Sequence, residues 1–265
     1  MNIDNVFNRI NEFCMVKEKV DNYDDSYRKT SELSNRLKYI INLVEELGIK
    51  YELVSVDYDD YYEDGSPIHF HNLLLRGGSG RYVSAHYDVF NIDSHNANDN
   101  SASVINAIAL KVLNPDGNII LLDAEEQPFC CQGSRWQSLW MRSCKEVTKK
   151  VDFIINLELT GLGGKNFVIA EDDKGDCQET IIKHFNPLVK KLPRNDAYYF
   201  RRHTNDAVCL STYPIIAGEP NFEHFKRNHK VEDSLDNISV ADMKEFVTEV
   251  LLPLSKVEMV KEVHP

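Results

Sequence analysis

The sequence predicts an α/β protein, a three-layer α/β/α sandwich with a mixed, largely parallel central sheet. Two observations support this fold class. Short apolar runs of strand length, such as NIILLD at 118–123 and FIINLEL at 153–159, alternate with segments whose apolar residues recur at helical spacing. Polar side chains also collect directly after several of these strands, where open α/β sheets place their ligand sites. Such alternation favours parallel strands lying side by side.

The first part of the chain is predicted to be helical and to belong to the same domain as the rest. Its helical stripe comprises Leu33, Leu37, Ile40, Ile41, Val44 and Leu47. Gly48 follows and is suited to end the helix. At 265 residues, of which 42% are hydrophobic, the chain is long enough to bury a core. We expect a single domain over residues 1–265, with 1–50 as its N-terminal helical part.

The remaining elements follow from short-range patterns. Strands are predicted at YELVSV (51–56), NLLLRGG (72–78), RYVSAH (81–86) and FVIAE (167–171). Helices are predicted at 101–113, near 134–147 and near 178–192. Ser239 and Asp242 resemble a capping box that opens a closing helix, which Pro253 is expected to kink. The apolar stripe of that helix is Met243, Phe246, Val247, Val250, Leu251 and Leu254.

Charge and composition exclude several classes of partner. A formal net charge of −12 argues against nucleic acid and anionic lipid, since phosphate binding requires clustered Lys and Arg. The apolar runs are too short to cross a membrane, and the N-terminus has no signal-peptide pattern, so we expect a cytoplasmic protein with reduced cysteines. The sequence gives no indication of oligomeric state.

The chemistry-bearing residues lie at strand ends and in loops. Three strands end in polar residues, one polar residue precedes the 101–113 helix, and one histidine lies in a polar loop near the C-terminus. In chain order the set is His86, Asp88, Asp99, Glu125, Glu126, Glu158 and His229. Two imidazoles and several carboxylates are ligands that zinc accepts, and a carboxylate can bridge two metal ions.

The adjacent pair Glu125 and Glu126 is the most informative part of this set. Neighbouring side chains in extended backbone point in different directions, so the two carboxylates can have different roles. Glutamates after a strand are usually solvated, and a histidine at a strand end is more often a packed residue than a ligand. The ordered combination is therefore the signal, because no single residue is specific.

From RYVSAHYD to HKVEDSLDN, roughly residues 70–240, this order resembles the zinc-dependent aminopeptidases of metallopeptidase family twenty-eight, which are relatives of the glutaminyl cyclases. The matching pieces are an HxD after a strand, a DN before a helix, an EE pair, an acid after a further strand, and a His followed four residues later by Asp. In this sequence they are His86 with Asp88, Asp99 with Asn100, Glu125 with Glu126, Glu158, and His229 with Asp233.

The resemblance implies a fold of the zinc exopeptidase type and a site for two zinc ions, or for one in the case of a cyclase. It implies that His86, Asp99 and His229 hold one ion and that Asp99, Glu126 and Glu158 hold the other. Asp99 would bridge the two ions. Asp88 would accept the free N–H of His86 and fix its ring orientation. Glu125 would remain unbound as the general base.

Several positions depart from the family pattern. Position 158 is Glu where Asp is common, and the longer side chain changes the expected metal spacing. Asn228 stands where some members have a tyrosine that polarises the substrate carbonyl, a role that Tyr87 or Tyr213 would have to supply here. The residues His203, Asn205 and Asp206 echo a further motif only loosely, and the sequence assigns them no role. GLGGKN at 161–166 lacks the spacing of a phosphate-binding loop.

The leading hypothesis is a metal-dependent hydrolase, a di-zinc aminopeptidase acting on peptides or aminoacyl small molecules. One alternative is a glutaminyl cyclase, which shares the fold but uses one zinc and performs no hydrolysis. A related amidohydrolase or carboxypeptidase is another. A non-catalytic binding module with a peptidase fold would be expected to have lost ligands or the base, and this sequence has lost neither. The sequence does not indicate which substrate side chain is preferred.

Overall fold

The fold consists of an eight-stranded mixed sheet with helices packed against it. A computed structural model describes residues 2–18, 26–58, 63–90, 93–126, 133, 153–169, 185, 189–191, 213–217 and 227–256. The helix predicted near 134–147 lies outside these residues. None of the helices within the described ranges is long and apolar enough to span a lipid bilayer.

The described α-helices are α1 (Asp4–Phe7), α2 (Ile10–Cys14), α3 (Asn35–Glu46), α4 (Ala102–Leu113), α5 (Val240–Phe246) and α6 (Leu252–Leu254). Two of them begin at a side-chain cap: Ser34 Oγ accepts the Leu37 N–H at 3.1 Å, and Ser239 Oγ accepts the Asp242 N–H at 3.2 Å. After α3, Gly48 adopts a left-handed φ of 64°, which ends the helix without strain. The predicted helices at 33–47 and 101–113 are confirmed.

The closing helix is irregular before Pro253. Between α5 and α6 the chain forms a wider π-helical turn, Val247–Leu251. Proline has no N–H to bond the carbonyl four residues earlier, and its ring crowds that carbonyl, so a widened turn relieves the contact. Further one-turn 3₁₀ segments occur at Ser26–Lys29 and Leu235–Asn237. An irregular turn at Ala97–Ser101, in which Asp99 and Asn100 have non-helical backbone angles, leads into α4.

The sheet has the order β1-β2-β4-β3-β5-β8-β6-β7. The strands are β1 (Glu52–Tyr58), β2 (Ile68–Leu75), β3 (Arg81–His86), β4 (Asn118–Leu122), β5 (Phe153–Glu158), β6 (Phe167–Ile169), β7 (Val189–Lys191) and β8 (Tyr213–Ala217). The pairs β4–β3, β3–β5, β5–β8 and β6–β7 are parallel, whereas β1–β2, β2–β4 and β6–β8 are antiparallel. A mixed sheet with a parallel centre is therefore confirmed.

One sequence-based assignment extends too far at β7. A helix is predicted near 178–192, and Phe185 within that range is helical, but Val189–Lys191 pair with β6 as a strand. The other residues of the range lie outside the described part of the chain. Pairing with β6 overrides the local preference of these last residues.

One face of the central strands packs against α4, and the other carries polar residues of β3 and β5 together with apolar residues of β4. Val83 and Ala85 of β3, together with Ile119 and Leu121 of β4, belong to one buried cluster with the apolar residues of α4. Because side chains alternate along a strand, the residues between them point to the opposite face. His86 ends β3 on that opposite face, and the strand register determines what it meets there.

Candidate metal centre

The parallel register of β3 and β5 brings His86 and Glu158 together. Ser84 lies opposite Asn156, so the residues two positions further along each strand lie side by side on the same face. His86 Nε2 is 3.4 Å from Glu158 Oε2, and both side chains are buried. The carboxyl ends of two neighbouring parallel strands thus supply the first two members of the site.

Asp99 connects these residues to a second histidine. It lies in the irregular turn Ala97–Ser101, where its own backbone angles are non-helical, and is almost fully buried. Asp99 Oδ1 is 3.3 Å from His86 Nε2, whereas its other oxygen, Oδ2, is 3.5 Å from His229 Nε2. The two oxygens of one carboxylate therefore face two different imidazoles.

His229 and Glu126 complete the cluster from the opposite side. His229 Nε2 lies 3.1 Å from Glu126 Oε2, and Phe90 stacks on the imidazole with ring centroids 4.2 Å apart. His229 adopts a left-handed φ of 62°, an uncommon conformation for a side-chain-bearing residue. Its side chain is 44% exposed while that of Glu126 is 4% exposed, so the site opens toward solvent at His229.

The separations between these atoms fit zinc. Tetrahedral zinc with ligand bonds of about 2.0–2.1 Å places its ligand atoms about 3.3 Å apart. The four nitrogen–oxygen contacts of the cluster measure 3.1–3.5 Å, longer than charge-assisted hydrogen bonds at about 2.7–2.9 Å. Imidazole nitrogens and carboxylate oxygens are also the chemical types that zinc accepts. The residues present therefore fit the metal that the sequence pattern implies.

The cluster divides into two groups that share Asp99. His86, Asp99 and Glu158 form one group, and Asp99, Glu126 and His229 form the other. The five residues expected from the sequence come together, and the two histidines lie on opposite sides of Asp99, so the side chains group differently from the expected division. The β3–β5 register places Glu158 beside His86, and the loop that carries His229 places its imidazole beside Glu126.

Asp88 joins His86 to the two glutamates. Its Oδ1 lies 3.4 Å from His86 Nδ1, which has no hydrogen-bond partner within the described residues. The same carboxylate accepts the backbone N–H groups of Glu125 at 3.2 Å and Glu126 at 3.0 Å. Asp88 is therefore placed to orient the imidazole and also holds the backbone of the Glu125–Glu126 turn.

Glu125 lies beside the cluster but belongs to neither of the two groups that share Asp99. A carboxylate oxygen of Glu125 lies within 4.8 Å of ligand atoms of His86 and Glu126. Ala124, immediately before it, has a left-handed φ of 55°, which turns the chain at the end of β4. The neighbouring carboxylates of Glu125 and Glu126 therefore occupy different positions around the same centre.

Buried amides hold the Glu158 carboxylate at both oxygens. Asn156 Nδ2 donates to Glu158 Oε1 at 2.9 Å, and Asn100 Nδ2 donates to Oε2 at 3.0 Å. Ser84 Oγ in turn donates to Asn156 Oδ1 at 2.8 Å. The sequence pattern alone does not single out Asn156 or Ser84, although each lies two residues before a predicted ligand and so shares its face of the strand.

Asp233 holds the loop that carries the shared carboxylate. It accepts the backbone N–H of Asn98 at 2.9 Å and that of Asp99 at 3.0 Å, and Asn237 Nδ2 donates to it at 3.2 Å. The His229–Asp233 spacing therefore places one residue in the cluster and the other beneath Asp99. The pKa of Asp233 is raised, first by burial and then by the nearby Asp99.

The electrostatics of the metal-free cluster favour bound protons. Burial raises the pKa of Glu126 to about 7, and Asp99 adds to this effect. Burial lowers the pKa of His229, but the Glu126 and Asp99 carboxylates outweigh it and raise the pKa to about 9. Burial also opposes the charged form of His86, yet Glu158 and other carboxylates raise its pKa well above the usual value. A divalent cation would displace these protons.

Other sequence-based candidates have different outcomes. The Tyr87 hydroxyl is buried and donates to the His71 carbonyl at 2.6 Å, so Tyr87 does not take the carbonyl-polarising role. The Tyr213 side chain and the residues His203, Asn205 and Asp206 lie outside the described residues. In the GLGGKN loop, Gly163 N–H and Lys165 N–H donate to carboxylates of α5, those of Asp242 and Glu245. Carboxylates therefore occupy these donors, as expected for a loop that does not bind phosphate.

Comparisons with known proteins identify the family and related folds. The chain matches Peptidase family M28 over residues 78–252. Compared with curated protein sequences, the chain has no match.

Three solved structures have a similar fold. One is a glutaminyl cyclase of Bacteroides thetaiotaomicron bound to N-acetylhistamine, with 17% identity, a TM-score of 0.65, and coverage of 97% of this chain and 98% of that one. Another is a Zn-dependent exopeptidase of Parabacteroides distasonis, with 14% identity, a TM-score of 0.64, and coverage of 97% and 98%. The third is the LapA aminopeptidase of Legionella pneumophila, with 12% identity, a TM-score of 0.63, and coverage of 96% and 70%.

Proposed function

Because this chain belongs to peptidase family M28, we propose that it is a di-zinc aminopeptidase that removes N-terminal residues from peptides or aminoacyl small molecules. The observation that carries the proposal is the shared Asp99 carboxylate, whose two oxygens face two separate histidine-containing groups. A carboxylate shared by two such groups is placed to bridge two metal ions, as a two-metal hydrolase can use.

Each side chain has a distinct role in the proposed reaction. His86, Asp99 and Glu158 would hold one zinc, and Asp99, Glu126 and His229 would hold the other. When bound, zinc supplies Lewis-acid chemistry: it lowers the pKa of water and stabilises negative charge on the substrate carbonyl. Glu125 accepts the proton of the attacking water and then donates it to the departing amine.

An exopeptidase that recognises a free N-terminus is favoured by the acidic surroundings. The chain carries a net charge of −12, and Glu125 adds a carboxylate beyond those that the two metal groups use. Such a field attracts the ammonium group of an N-terminal residue. It disfavours the free carboxylate at the C-terminal end of a peptide, which a carboxypeptidase must bind.

The test is a pair of measurements on the purified protein loaded with zinc. Mass spectrometry under native conditions should find two zinc ions per chain. Aminoacyl p-nitroanilides with a free amine should be hydrolysed with a kcat/KM at least about tenfold above their N-acetylated counterparts, for a lost contact of about 1.4 kcal/mol. Equal hydrolysis of both forms would identify an amidohydrolase, and zinc binding without hydrolysis of either would identify a binding protein.

Glutaminyl cyclase is the second candidate, supported by a specific observation. Asp99, Glu126 and His229 alone supply three protein ligands, the number that a catalytic zinc site commonly uses, and this group lies at the open side of the cluster. A peptide with an N-terminal glutamine separates the two candidates. Loss of ammonia from that peptide by a protein holding one zinc would favour the cyclase over the peptidase.

A further inference from the structure

A buried ion pair lies immediately next to the proposed catalytic glutamates. Arg28, in the 3₁₀ turn Ser26–Lys29, donates from Nη1 to Asp123 Oδ2 at 3.0 Å and from Nη2 to Asp123 Oδ1 at 2.8 Å. The side chain of Arg28 is 1% exposed and that of Asp123 is 4% exposed. The planar fork of the guanidinium matches both carboxylate oxygens, which fixes their orientation as well as neutralising their charge.

Asp123 uses the same two oxygens to hold the backbone before Glu125. Its Oδ1 accepts the N–H of Ala124 at 2.8 Å, and its Oδ2 accepts the N–H of His71 in β2 at 3.1 Å. Ala124 is the residue with the left-handed φ of 55° that turns the chain after β4. The orientation of the Asp123 carboxylate is therefore coupled to the turn that presents Glu125.

The main chain of Asp123 is also restrained. Its N–H donates to Asn72 Oδ1 at 2.9 Å, and a Cβ added to Gly133 would lie 1.9 Å from the Asp123 carbonyl oxygen. Only glycine at 133 allows this close approach. On the other side of the turn, Asp88 accepts the N–H groups of Glu125 and Glu126. The carboxylates of Asp123 and Asp88 therefore accept the backbone N–H groups along the short segment 124–126 and restrain it.

We propose that Arg28 is a positioning residue that acts through Asp123 to hold the turn at Ala124, and thereby Glu125 and Glu126, in register with the metal cluster. The inference rests on the proposed function for its catalytic consequence. Without its guanidinium, Asp123 keeps a buried charge that must turn toward another donor, and the Ala124 N–H loses a fixed acceptor.

The first test follows the two glutamates directly and needs neither metal nor substrate. Hydrogen exchange of the Glu125 and Glu126 amides in the metal-free protein should accelerate in Arg28→Ala, while the amides of α4 keep their wild-type rates. Arg9→Ala is the matched control, because Arg9 also pairs with carboxylates, Glu12 and Glu46, but at the surface. Arg9→Ala should leave exchange at Glu125 and Glu126 unchanged.

The second test measures zinc affinity and turnover. Supporting residues behind metal ligands typically contribute 10–100-fold, so Arg28→Ala should weaken zinc binding and lower kcat by about that factor, with KM changed much less. Ethylguanidinium added to Arg28→Ala should restore part of the loss. A purely structural ion pair would instead lower the Tm and leave zinc affinity and kcat per folded molecule at wild-type values, which would overturn the proposal.

Arg28→Lys keeps the inference testable if Arg28→Ala does not fold. Lysine retains the charge but lacks the fork that bonds both oxygens, so exchange at Glu125 and Glu126 and zinc affinity should move in the same direction by a smaller factor. Wild-type behaviour of Arg28→Lys in both measurements would overturn the positioning role. If the wild-type protein hydrolysed no peptide at all, the proposed function would fail while exchange and zinc affinity would still decide the role of Arg28.

Discussion

The two faces of the central strands are equally buried but differ in chemistry. Leu121 of β4 and Ala85 of β3 face α4 and are 0% exposed, whereas His86 and Glu158, at the ends of β3 and β5, are 1% and 3% exposed. Burying the first pair removes apolar surface from water and stabilises the fold. Burying the second pair costs free energy unless each charge has a partner.

This difference shows that the stability of the apolar core offsets the free-energy cost of burying the polar cluster. Burial of the apolar face stabilises the fold. The packed strands then hold the like charges of the polar cluster near one another. Three of the four non-glycine residues with positive φ among the described residues adjoin or belong to the cluster: Ala124, Leu159 and His229. Such conformations persist where the surrounding packing enforces them. Substitutions on the two faces should therefore have separable effects.

The largest effect is expected from Glu125→Gln. Glutamine has nearly the same shape but accepts no proton, so kcat should fall by about 10²–10⁴-fold while zinc content stays at the wild-type value. Glu126→Ala is the neighbouring control and should lose zinc at one site, since Glu126 belongs to the group with Asp99 and His229. Steady-state kinetics combined with metal analysis checks both. Wild-type turnover by metal-loaded Glu125→Gln would show that another group is the base.

Leu121→Ala tests the apolar face. Leu121 is 0% exposed and packs in the cluster that includes α4, so removing its side chain should lower the free energy of unfolding by about 2–5 kcal/mol. Urea unfolding followed by circular dichroism measures the loss, and kcat per folded molecule should change little. Val231→Ala, at a residue that is 59% exposed, is the control and should change stability by no more than about 0.5 kcal/mol. A comparable loss at both positions would contradict the assignment of the core.

Asp88→Asn tests the support behind the cluster. Because Asp88 contacts His86 Nδ1 and accepts the Glu125 and Glu126 N–H groups, zinc affinity should fall by about 10–100-fold. Competition with a chromophoric chelator measures this change. Asp57→Asn is a matched control, since Asp57 contacts His69 Nδ1 at 2.6 Å but is 65% exposed and remote from the cluster residues. Equal losses in both variants would rule out a specific role for Asp88.

The sequence indicated which residues would lie near one another but not which of them would be in direct contact. His86 and Glu158 were found because strand ends in parallel sheets converge, which is a local pattern combined with a general rule. Their pairing depends on the Ser84–Asn156 register, which no short-range pattern reports. Arg28 was missed for a similar reason. It lies 95 residues from Asp123 and, as sequence, resembles any basic residue in a turn.

The smallest effect concerns the stability of the metal-free protein as a function of pH. The folded-state pKa of Glu126 is raised to about 7 and that of His229 to about 9, both above their unfolded values. Each group therefore stabilises the fold at low pH, and that contribution is lost as pH rises through the folded pKa. Between pH 6 and 8 the metal-free protein should therefore lose stability. Buried Glu126 should contribute up to about 1.4 kcal/mol per pH unit, and His229, whose side chain is 44% exposed, should contribute less because solvent screens its charge.

Zinc should reverse this trend, because a divalent cation replaces the protons that the cluster otherwise holds. The increase in Tm on adding zinc should therefore be greater at pH 8 than at pH 6, with chemical unfolding at both pH values as the quantitative check. Glu126→Gln removes one of the titrating groups and should flatten the pH dependence of the metal-free protein. A metal-free protein whose stability rises from pH 6 to 8 would contradict the prediction that loss of protons from the buried cluster destabilises the fold.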